Sequence, residues 1–185
     1  MLTAVATIRG ISPYSASRMH GLKKEPNETH DDFEARMWRE KAHCRKDGSV
    51  FIPAIAFKQA LDTAANYLGQ KIPGQGNSKY KKHFVSGVLV LDPMMLGIKK
   101  EDLEPIALPC HANGRRGSGS RVMRWFPIVE EWGGEVTFYV GDPVLTKEVF
   151  AEHLEAAGNF AGVGRFRPEN GGTNGRFVVD KLKWA

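Results

Sequence analysis

The clearest structural signal in this sequence, and the one that most restricts the fold, is an amphipathic helix that follows Pro53. Proline suits a first helical turn, and Gly69 can end the helix. Polar residues occupy the positions between the apolar ones, so one side of the helix faces a core and the other faces solvent. The apolar stripe recurs at three- and four-residue steps and consists of Phe57, Ala60, Leu61, Ala64, Ala65 and Leu68.

Strand patterns stand on both sides of this helix. Leu2–Arg9 alternates with a period of two, which predicts a strand with one face against a core. Val85–Leu91 predicts a buried strand, and Arg176–Trp184 predicts the last strand of the chain. Val122–Val129 and Val136–Val140 flank a pair of glycines, so they predict a hairpin.

The second half of the chain predicts one more helix. Thr146 can cap it, Phe150 and Leu154 belong to its apolar stripe, and Gly158 can stop it. Between the two helix patterns, Gly69–Lys82 holds three glycines and four lysines, and this composition predicts a loop.

An insertion at about residues 10–49 separates the first strand from the first long helix. Within it, Thr29 predicts the start of a short helix, and Asp47-Gly48 predicts a two-residue turn. Without the insertion, the elements follow the order strand, helix, strand, strand, helix, strand. We therefore predict a single α+β domain over residues 1–185, with a ferredoxin-like (RRM-like) split βαβ sheet, loop and hairpin insertions and a C-terminal glycine-rich loop.

Charge and hydropathy restrict the partners of the chain. It has 26 basic and 21 acidic residues and a formal net charge of +5, which favours a polyanionic partner. Its apolar stretches fall far short of the ~20 residues that cross a bilayer. The N-terminal residues lack the basic start and the continuous apolar core of a signal peptide. We therefore expect a cytoplasmic protein with no membrane partner.

The most informative segment for function is the glycine-rich stretch Gly158–Phe177. It runs from a helix into a strand, whereas a nucleotide-binding loop runs from a strand into a helix, so we expect no nucleotide cofactor. Glycines let backbone N–H groups and arginines approach a sugar-phosphate backbone, and Phe166 is available for stacking on a base. The alternative is a glycine turn whose arginines pair with carboxylates.

Three segments resemble the RAMP superfamily. Gly162–Pro168, followed by Gly175-Arg176-Phe177, is similar to the superfamily's glycine-rich loop. Phe51–Leu61 is similar to its strand-to-helix entry, and Ser12–Arg18 suits its backbone-subunit branch. Members of the superfamily include CRISPR-associated subunits that bind and process guide RNA. The resemblance implies a small or phage-encoded relative that binds single-stranded nucleic acid, often as a head-to-tail polymer along the strand and together with other CRISPR-type subunits.

We therefore predict a single-stranded nucleic-acid site formed by basic and glycine-rich loops. RNA is favoured over DNA only through the resemblance. The predicted nucleic-acid-binding residues are Arg18, Lys81, Lys82, Arg115, Arg116, Arg121, Arg124, Gly162, Gly164, Arg165, Phe166, Arg167 and Arg176.

Two alternatives belong to other functional classes. One is a metal-independent endoribonuclease that processes guide RNA, for which His83, beside Lys81 and Lys82, is the candidate general base. The other is a phage protein that binds or anneals single-stranded DNA. The pairs His43-Cys44 and Cys110-His111 are adjacent residues and lack the spacing of zinc ligands, so we predict no bound metal.

Overall fold

A computed structural model describes residues 1–111, 117 and 119–185, and it has a mixed α+β architecture with antiparallel sheets. The strands in these residues are β1 (Leu2–Gly10), β2 (Tyr14–Ser15), β3 (Ser49–Ile52), β4 (Val88–Leu89), β5 (Met94–Lys99), β6 (Glu104–His111), β7 (Arg121–Val129), β8 (Gly133–Val140) and β9 (Phe177–Trp184). The α-helices are α1 (His30–Met37), α2 (Ala54–Leu68), α3 (Lys81–Gly87) and α4 (Lys147–Ala156).

The largest sheet has four strands in the order β4-β8-β1-β9, and each neighbouring pair is antiparallel. Ala4 lies opposite Phe138 and Ala6 lies opposite Val136. Both alanines are fully buried, which confirms the strand predicted from the alternating N-terminal residues. A three-stranded sheet has the order β2-β7-β6, and β3 pairs with β5 in a separate ribbon.

Helix α2 and helix α4 supply the other half of the main core. Phe57 and Leu61 of α2 and Phe150 and Leu154 of α4 belong to the same buried cluster as the inner face of the four-stranded sheet. Burial of each such side chain stabilises the fold by about 1.5 to 3 kcal/mol. Helix α2 ends as predicted, because Gly69 takes the left-handed conformation at φ 55°.

The predicted start of a short helix at Thr29 is also confirmed. Thr29 caps α1, since its Oγ1 accepts a hydrogen bond of 3.1 Å from the backbone N–H of Asp32. A turn is present at Asp47-Gly48, but it is one residue longer than predicted, because Arg45 N donates to Ser49 O at 2.9 Å around residues 46–48. Residues 10–49 thus contain local structure of their own.

The prediction that Gly158 ends the last helix is wrong. Thr146 caps α4 as expected, but the helical conformation continues from α4 through a π-helical turn. This turn ends at Gly162, which has φ 69°. Gly158 instead lies against β9, where a Cβ atom would come within 2.1 Å of the Phe177 carbonyl oxygen. This glycine permits close packing and does not terminate the helix.

The predicted buried strand at Val85–Leu91 is largely wrong, because its first three residues belong to a helix and only two of its seven residues form a strand. Residues 81–87 form α3, and only Val88 and Leu89 pair as the strand β4. Tyr80 and Phe84 are buried one helical turn apart, whereas Val85 is 50% exposed. Burial of side chains four residues apart in the tertiary core therefore favours a helix here, despite the β-propensity of the valines. The same burial of Tyr80 anchors the end of the segment that the composition had predicted to be a loop.

The predicted hairpin between residues 122–129 and 136–140 is also wrong. Strand β7 pairs with β6, and β8 pairs with β1 along eight residues, so the two strands lie in different sheets. The chain crosses between the sheets at Trp132, which is buried and donates its indole N–H to the Ser12 carbonyl at 2.7 Å. An anchored tryptophan directs the chain away from a tight turn.

One buried histidine is expected to make folding sensitive to acid. His153 is fully buried, stacks on Phe84 at 4.3 Å between ring centroids and hydrogen-bonds through Nδ1 to the Val149 carbonyl. Burial lowers the pKa of His153, while an unfolded histidine titrates near 6.5. The unfolded chain therefore takes up the proton first as the pH falls.

We predict that the free energy of unfolding is retained above pH ~6.5 and falls below it. The change His153→Phe keeps the aromatic stack and removes the titrating group, so it should reduce this loss by about 1 kcal/mol. Urea unfolding of both proteins at about pH 7.5 and about pH 5.5 measures the difference. Equal pH dependence in the two proteins would contradict the role of His153.

Candidate nucleic-acid interface

An open cleft of about 1060 Å³ lies between the glycine-rich loop, the start of α2 and the segment after β1. These are the three segments whose sequences resemble the RAMP superfamily, and the fold brings them together. The residues that line the cleft are Tyr14, Ala16, Ser17, His43, Pro53, Ile55, Ala56, Gln59, Gly164, Arg165, Phe166, Arg167, Glu169, Asn170, Gly171 and Gly172.

Backbone hydrogen bonds attach the glycine-rich loop to the segment after β1. Arg165 N donates to Ser15 O at 2.6 Å, and Gly175 N donates to Pro13 O at 2.8 Å. Gly164 lies at the contact with φ 80°, and a Cβ atom there would come within 2.4 Å of the Ser15 carbonyl oxygen. Only glycine satisfies both the conformation and the close approach. The wall of the cleft is therefore held by main-chain contacts.

The loop also holds one aromatic residue in an unusual conformation. Phe166 has φ 57°, in the left-handed region that residues with a Cβ atom rarely adopt. Its carbonyl oxygen accepts a bond from Asn174 N at 3.0 Å, and Gly172 packs so closely behind it that no Cβ atom would fit. These contacts fix the Phe166 ring at the cleft, edge-on to Phe126 at 5.3 Å between centroids.

Arg165 is the basic residue at the centre of this surface. Its guanidinium lies 4.8 Å from the ring centroid of Phe126 and 4.9 Å from that of Phe166. Cation–π contacts with two rings orient the charge without neutralising it. Arg165 lines the cleft and also a smaller pocket of about 280 Å³, which Arg18 and Arg124 line as well. The basic surface thus continues from the cleft into this pocket.

A buried ion pair lies next to Phe126, the ring that Arg165 contacts. Lys41 Nζ lies 2.6 Å from Glu34 Oε2 and 4.3 Å from the ring centroid of Phe126, and it donates to the Trp125 carbonyl at 2.6 Å. Burial lowers the pKa of the Lys41 ammonium, the carboxylate of Glu34 opposes this effect, and nearby arginine charges add to it. The pair joins the segment between β1 and β3 to β7.

Several polar residues of the cleft were not predicted from the sequence. They include Gln59, Asn170 and His43. Burial, followed by the positive charge of Arg18, lowers the pKa of His43, so a neutral imidazole faces the cleft at neutral pH. The position of Gln59 on the polar side of α2 could have indicated that this side chain is available to a ligand. His43 carries no such sequence signal, because only the tertiary fold brings it to the cleft.

The predicted arginines near the loop differ in their surroundings. Arg167 lines the cleft and donates from Nε to Glu169 Oε2 at 2.8 Å. Gly162 ends the π-helical turn behind the loop. Arg176 donates from Nη1 to the Asn159 carbonyl and is not among the residues that line the cleft.

The remaining predicted residues lie away from the cleft or outside the described part of the chain. Lys81, Lys82 and His83 are on α3, and Arg121 is exposed at the start of β7. His83 Nδ1 lies 2.7 Å from Asp142 Oδ2. Within the described ranges, no group of three or more potential ligands could hold a metal ion. The predicted residues Arg115 and Arg116 lie outside the described residues.

We predict that Gly164→Ala unfolds more easily than a matched glycine variant. Alanine at position 164 combines left-handed strain with a collision against Ser15 and Tyr14. Gly74 has φ 75° and open space around it, so Gly74→Ala adds the strain alone. Urea unfolding should show a loss of about 1 kcal/mol for Gly74→Ala and at least about 2 kcal/mol for Gly164→Ala. Equal losses would contradict the close-approach role of Gly164.

The described part of the chain contains no helix long and apolar enough to cross a membrane.

No protein-family model and no curated protein matches the sequence. Solved structures do match the fold. Cmr6 from Pyrococcus furiosus is 16% identical, with a TM-score of 0.51 over 97% of this chain and 99% of that chain.

Two further solved structures are similar. One chain of the Type III-B Cmr-beta complex bound to cognate target RNA is 14% identical, with a TM-score of 0.52 over 99% of this chain and 60% of that chain. A chain of a CRISPR RNA-guided surveillance complex is 12% identical over 98% of this chain and 68% of that chain, but its TM-score of 0.43 is too low to bear on the fold. The fold is therefore similar to that of Cmr6 and of one chain of the Type III-B Cmr-beta, which agrees with the resemblance stated from the three sequence segments.

Proposed function

We propose that this protein binds single-stranded RNA as a subunit of a CRISPR-type ribonucleoprotein complex, with the cleft as its RNA site. The observation that carries the proposal is the meeting of the glycine-rich loop, the start of α2 and the segment after β1 around one open cleft. Chain segments far apart in sequence there surround two arginines and an oriented phenylalanine. Cations and aromatic rings together are typical of single-strand binding sites.

The cleft offers separate contacts to the phosphate and to the base. Arg165 keeps its charge between two rings, so it suits a phosphate. Arg167 lines the same wall and pairs with Glu169 through Nε, which leaves other N–H donors of its guanidinium for a second phosphate. Phe166 offers its ring for stacking. Gln59 and the neutral imidazole of His43 can exchange hydrogen bonds with a base edge or a ribose hydroxyl. The combination favours a single strand over a duplex, because unstacked bases reach such contacts.

RNA, rather than DNA, is proposed on the basis of the resemblance and of the shared fold. One of the similar chains belongs to a complex described as bound to cognate target RNA. By analogy, we propose that this chain covers part of a guide or target strand as a backbone subunit and contacts other subunits of CRISPR type. A single-stranded DNA partner remains the alternative, and competition between DNA and RNA oligonucleotides distinguishes the two.

Self-association along the strand stays a prediction. The sequence suggested that the acidic residues 101–104 and 130–135 of one copy meet the basic residues 36–46 of the next. Within the described residues, Arg36 already pairs with Glu28 and Lys41 pairs with Glu34. These pairs leave less free positive charge for a contact between copies than the sequence suggested.

For the architecture, we propose a single ferredoxin-like domain with an insertion at about 10–49. The strand order β4-β8-β1-β9 with antiparallel neighbours supports this assignment. So does the chain order, in which α2 and α4 each follow one strand of the sheet and precede another. The π-helical turn and the glycine-rich loop would then be additions between the second helix and the last strand.

Neutralising the arginines of the cleft should weaken RNA binding and its salt dependence. Each phosphate contact contributes about 0.7 to the slope of log K against log salt for single strands, so Arg165→Met with Arg167→Gln should lower the slope by about 1.4. Arg9→Gln with Lys183→Gln is the matched control, because neither residue lines the cleft. Fluorescence anisotropy with labelled RNA at several salt concentrations measures the slopes. Equal slopes in the two double variants would contradict the proposed site.

The pairing of His83 with Asp142 favours a second candidate function, metal-independent RNA cleavage. A carboxylate at 2.7 Å from Nδ1 orients the ring and leaves Nε2 to take the proton of a ribose 2′-hydroxyl. Such a reaction should proceed in EDTA and yield 2′,3′-cyclic phosphate ends, and His83→Gln should lower its rate by about 10²-fold or more. Intact RNA after incubation with the wild-type protein would eliminate this function and leave the binding proposal standing.

A further inference from the structure

We propose that Tyr67 and Phe160 form a second contact for the RNA strand, a base-stacking platform outside the cleft. The proposal rests on the RNA-binding function proposed above and extends the path of the strand. The two rings stack on each other, with centroids 4.7 Å apart and an angle of 28° between their planes. Tyr67 is 64% exposed and Phe160 is 47% exposed. Such a pair presents a free aromatic face, on which a base can continue the stack.

Helix α2 connects this platform to the cleft. Ile55, Gln59, Thr63 and Tyr67 recur at four-residue steps, so they follow one face of the helix. Ile55 and Gln59 line the cleft, and Thr63 Oγ1 lies 3.3 Å from Oε1 of Glu169 at the cleft wall. The platform is therefore the continuation of one helix face beyond the cleft.

Two cations bind to the residues that directly precede the platform rings in the sequence. Lys81 Nζ donates to Oδ1 of Asn66, the residue before Tyr67, at 2.7 Å. Arg176 Nη1 donates to the carbonyl of Asn159, the residue before Phe160. Both partners are neutral, and the described residues give neither cation a carboxylate partner. Each cation therefore keeps its full charge and further N–H donors for a phosphate.

These features favour a nucleic acid over a protein partner. A stable protein interface covers about 800 Å² on each side. An aromatic side chain has only about 150 to 250 Å² in all, so two partly exposed rings beside polar Asn66 and Asn159 fall well below that area. A base between two phosphates needs one flat ring face and nearby positive charge, and the platform has both.

The geometry sets the length of strand that should detect the platform. Gln59, which still lines the cleft, and Tyr67 are eight residues apart, or about 12 Å along the helix axis. At about 3.4 Å for each stacked nucleotide, this distance corresponds to about three to four nucleotides. We therefore expect the platform to contribute only when the RNA is about three to four nucleotides longer than the cleft requires.

The test compares short and long RNA oligonucleotides that carry 2-aminopurine at successive positions. The variant is Tyr67→Leu with Phe160→Leu, which keeps apolar side chains and removes both rings. Leu89→Ala with Leu91→Ala is the matched control, because it changes two exposed apolar residues that do not line the cleft. Thermal unfolding of each protein monitors the fold.

The wild-type protein should bind the long strand roughly tenfold more tightly than the short one and quench 2-aminopurine at a position outside the cleft. The double leucine variant should lose this gain and this quenching while its affinity for the short strand stays the same. Unchanged long-strand affinity and quenching in the variant would overturn the platform and leave the rings to a protein partner. Failure of the wild-type protein to bind either strand would overturn the proposed function as well.

Discussion

The close approach of two backbones at Gly164 is the contact on which the candidate site depends. A glycine-rich loop after the last helix and a segment directly after β1 come from opposite ends of the chain, and hydrogen bonds from Arg165 N and Gly175 N join them. A side chain at Gly164 would separate the two backbones. Main-chain contacts define positions more sharply than long side chains do, because fewer rotatable bonds intervene. This contact therefore holds the wall of the cleft and the position of Arg165.

The electrostatics of the site follow from how its charges are buried. Lys41 and Glu34 form an ion pair in the interior, where an unpaired charge would be costly. Phe126 contacts both groups, since Lys41 Nζ lies 4.3 Å and the Arg165 guanidinium 4.8 Å from the centroid of its ring. The buried lysine is thus used for structure, while the arginine keeps its charge at the surface. Contacts between cations and aromatic rings connect Lys41, in the segment between β1 and β3, with Phe126 of β7 and with Arg165 and Phe166 of the glycine-rich loop.

Helix α2 has a different role on each of its faces. Phe57 and Leu61 pack into the core, and Lys58 donates to the Phe84 carbonyl at 3.1 Å, which fixes the neighbouring helix α3. The face that carries Gln59 and Tyr67 instead faces the cleft and the aromatic pair. One rigid element therefore sets the relative positions of the core, α3 and both proposed RNA contacts.

The sequence alone determined the elements whose signals are local. The stripe that includes Phe57 and Leu61, the caps at Thr29 and Thr146 and the left-handed stop at Gly69 act within a few residues, so α1, α2 and the start of α4 could be predicted. The same holds for the glycine-rich loop, because its composition allows little else.

Only the tertiary structure decided what depends on distant partners. The valines at 85 and 88 have the same strand propensity, but burial of Phe84 makes the first helical, and pairing with Val140 makes the second a strand. The bond from Trp132 to Ser12 helps to place β8 beside β1 instead of β7. Local sequence cannot show this pairing, because Ser12 lies 120 residues away from Trp132. Likewise, Tyr67 meets Phe160, and His43 reaches the cleft, only after folding. Local patterns determine which element forms, whereas the assembled core determines which faces meet, since that depends on long-range packing.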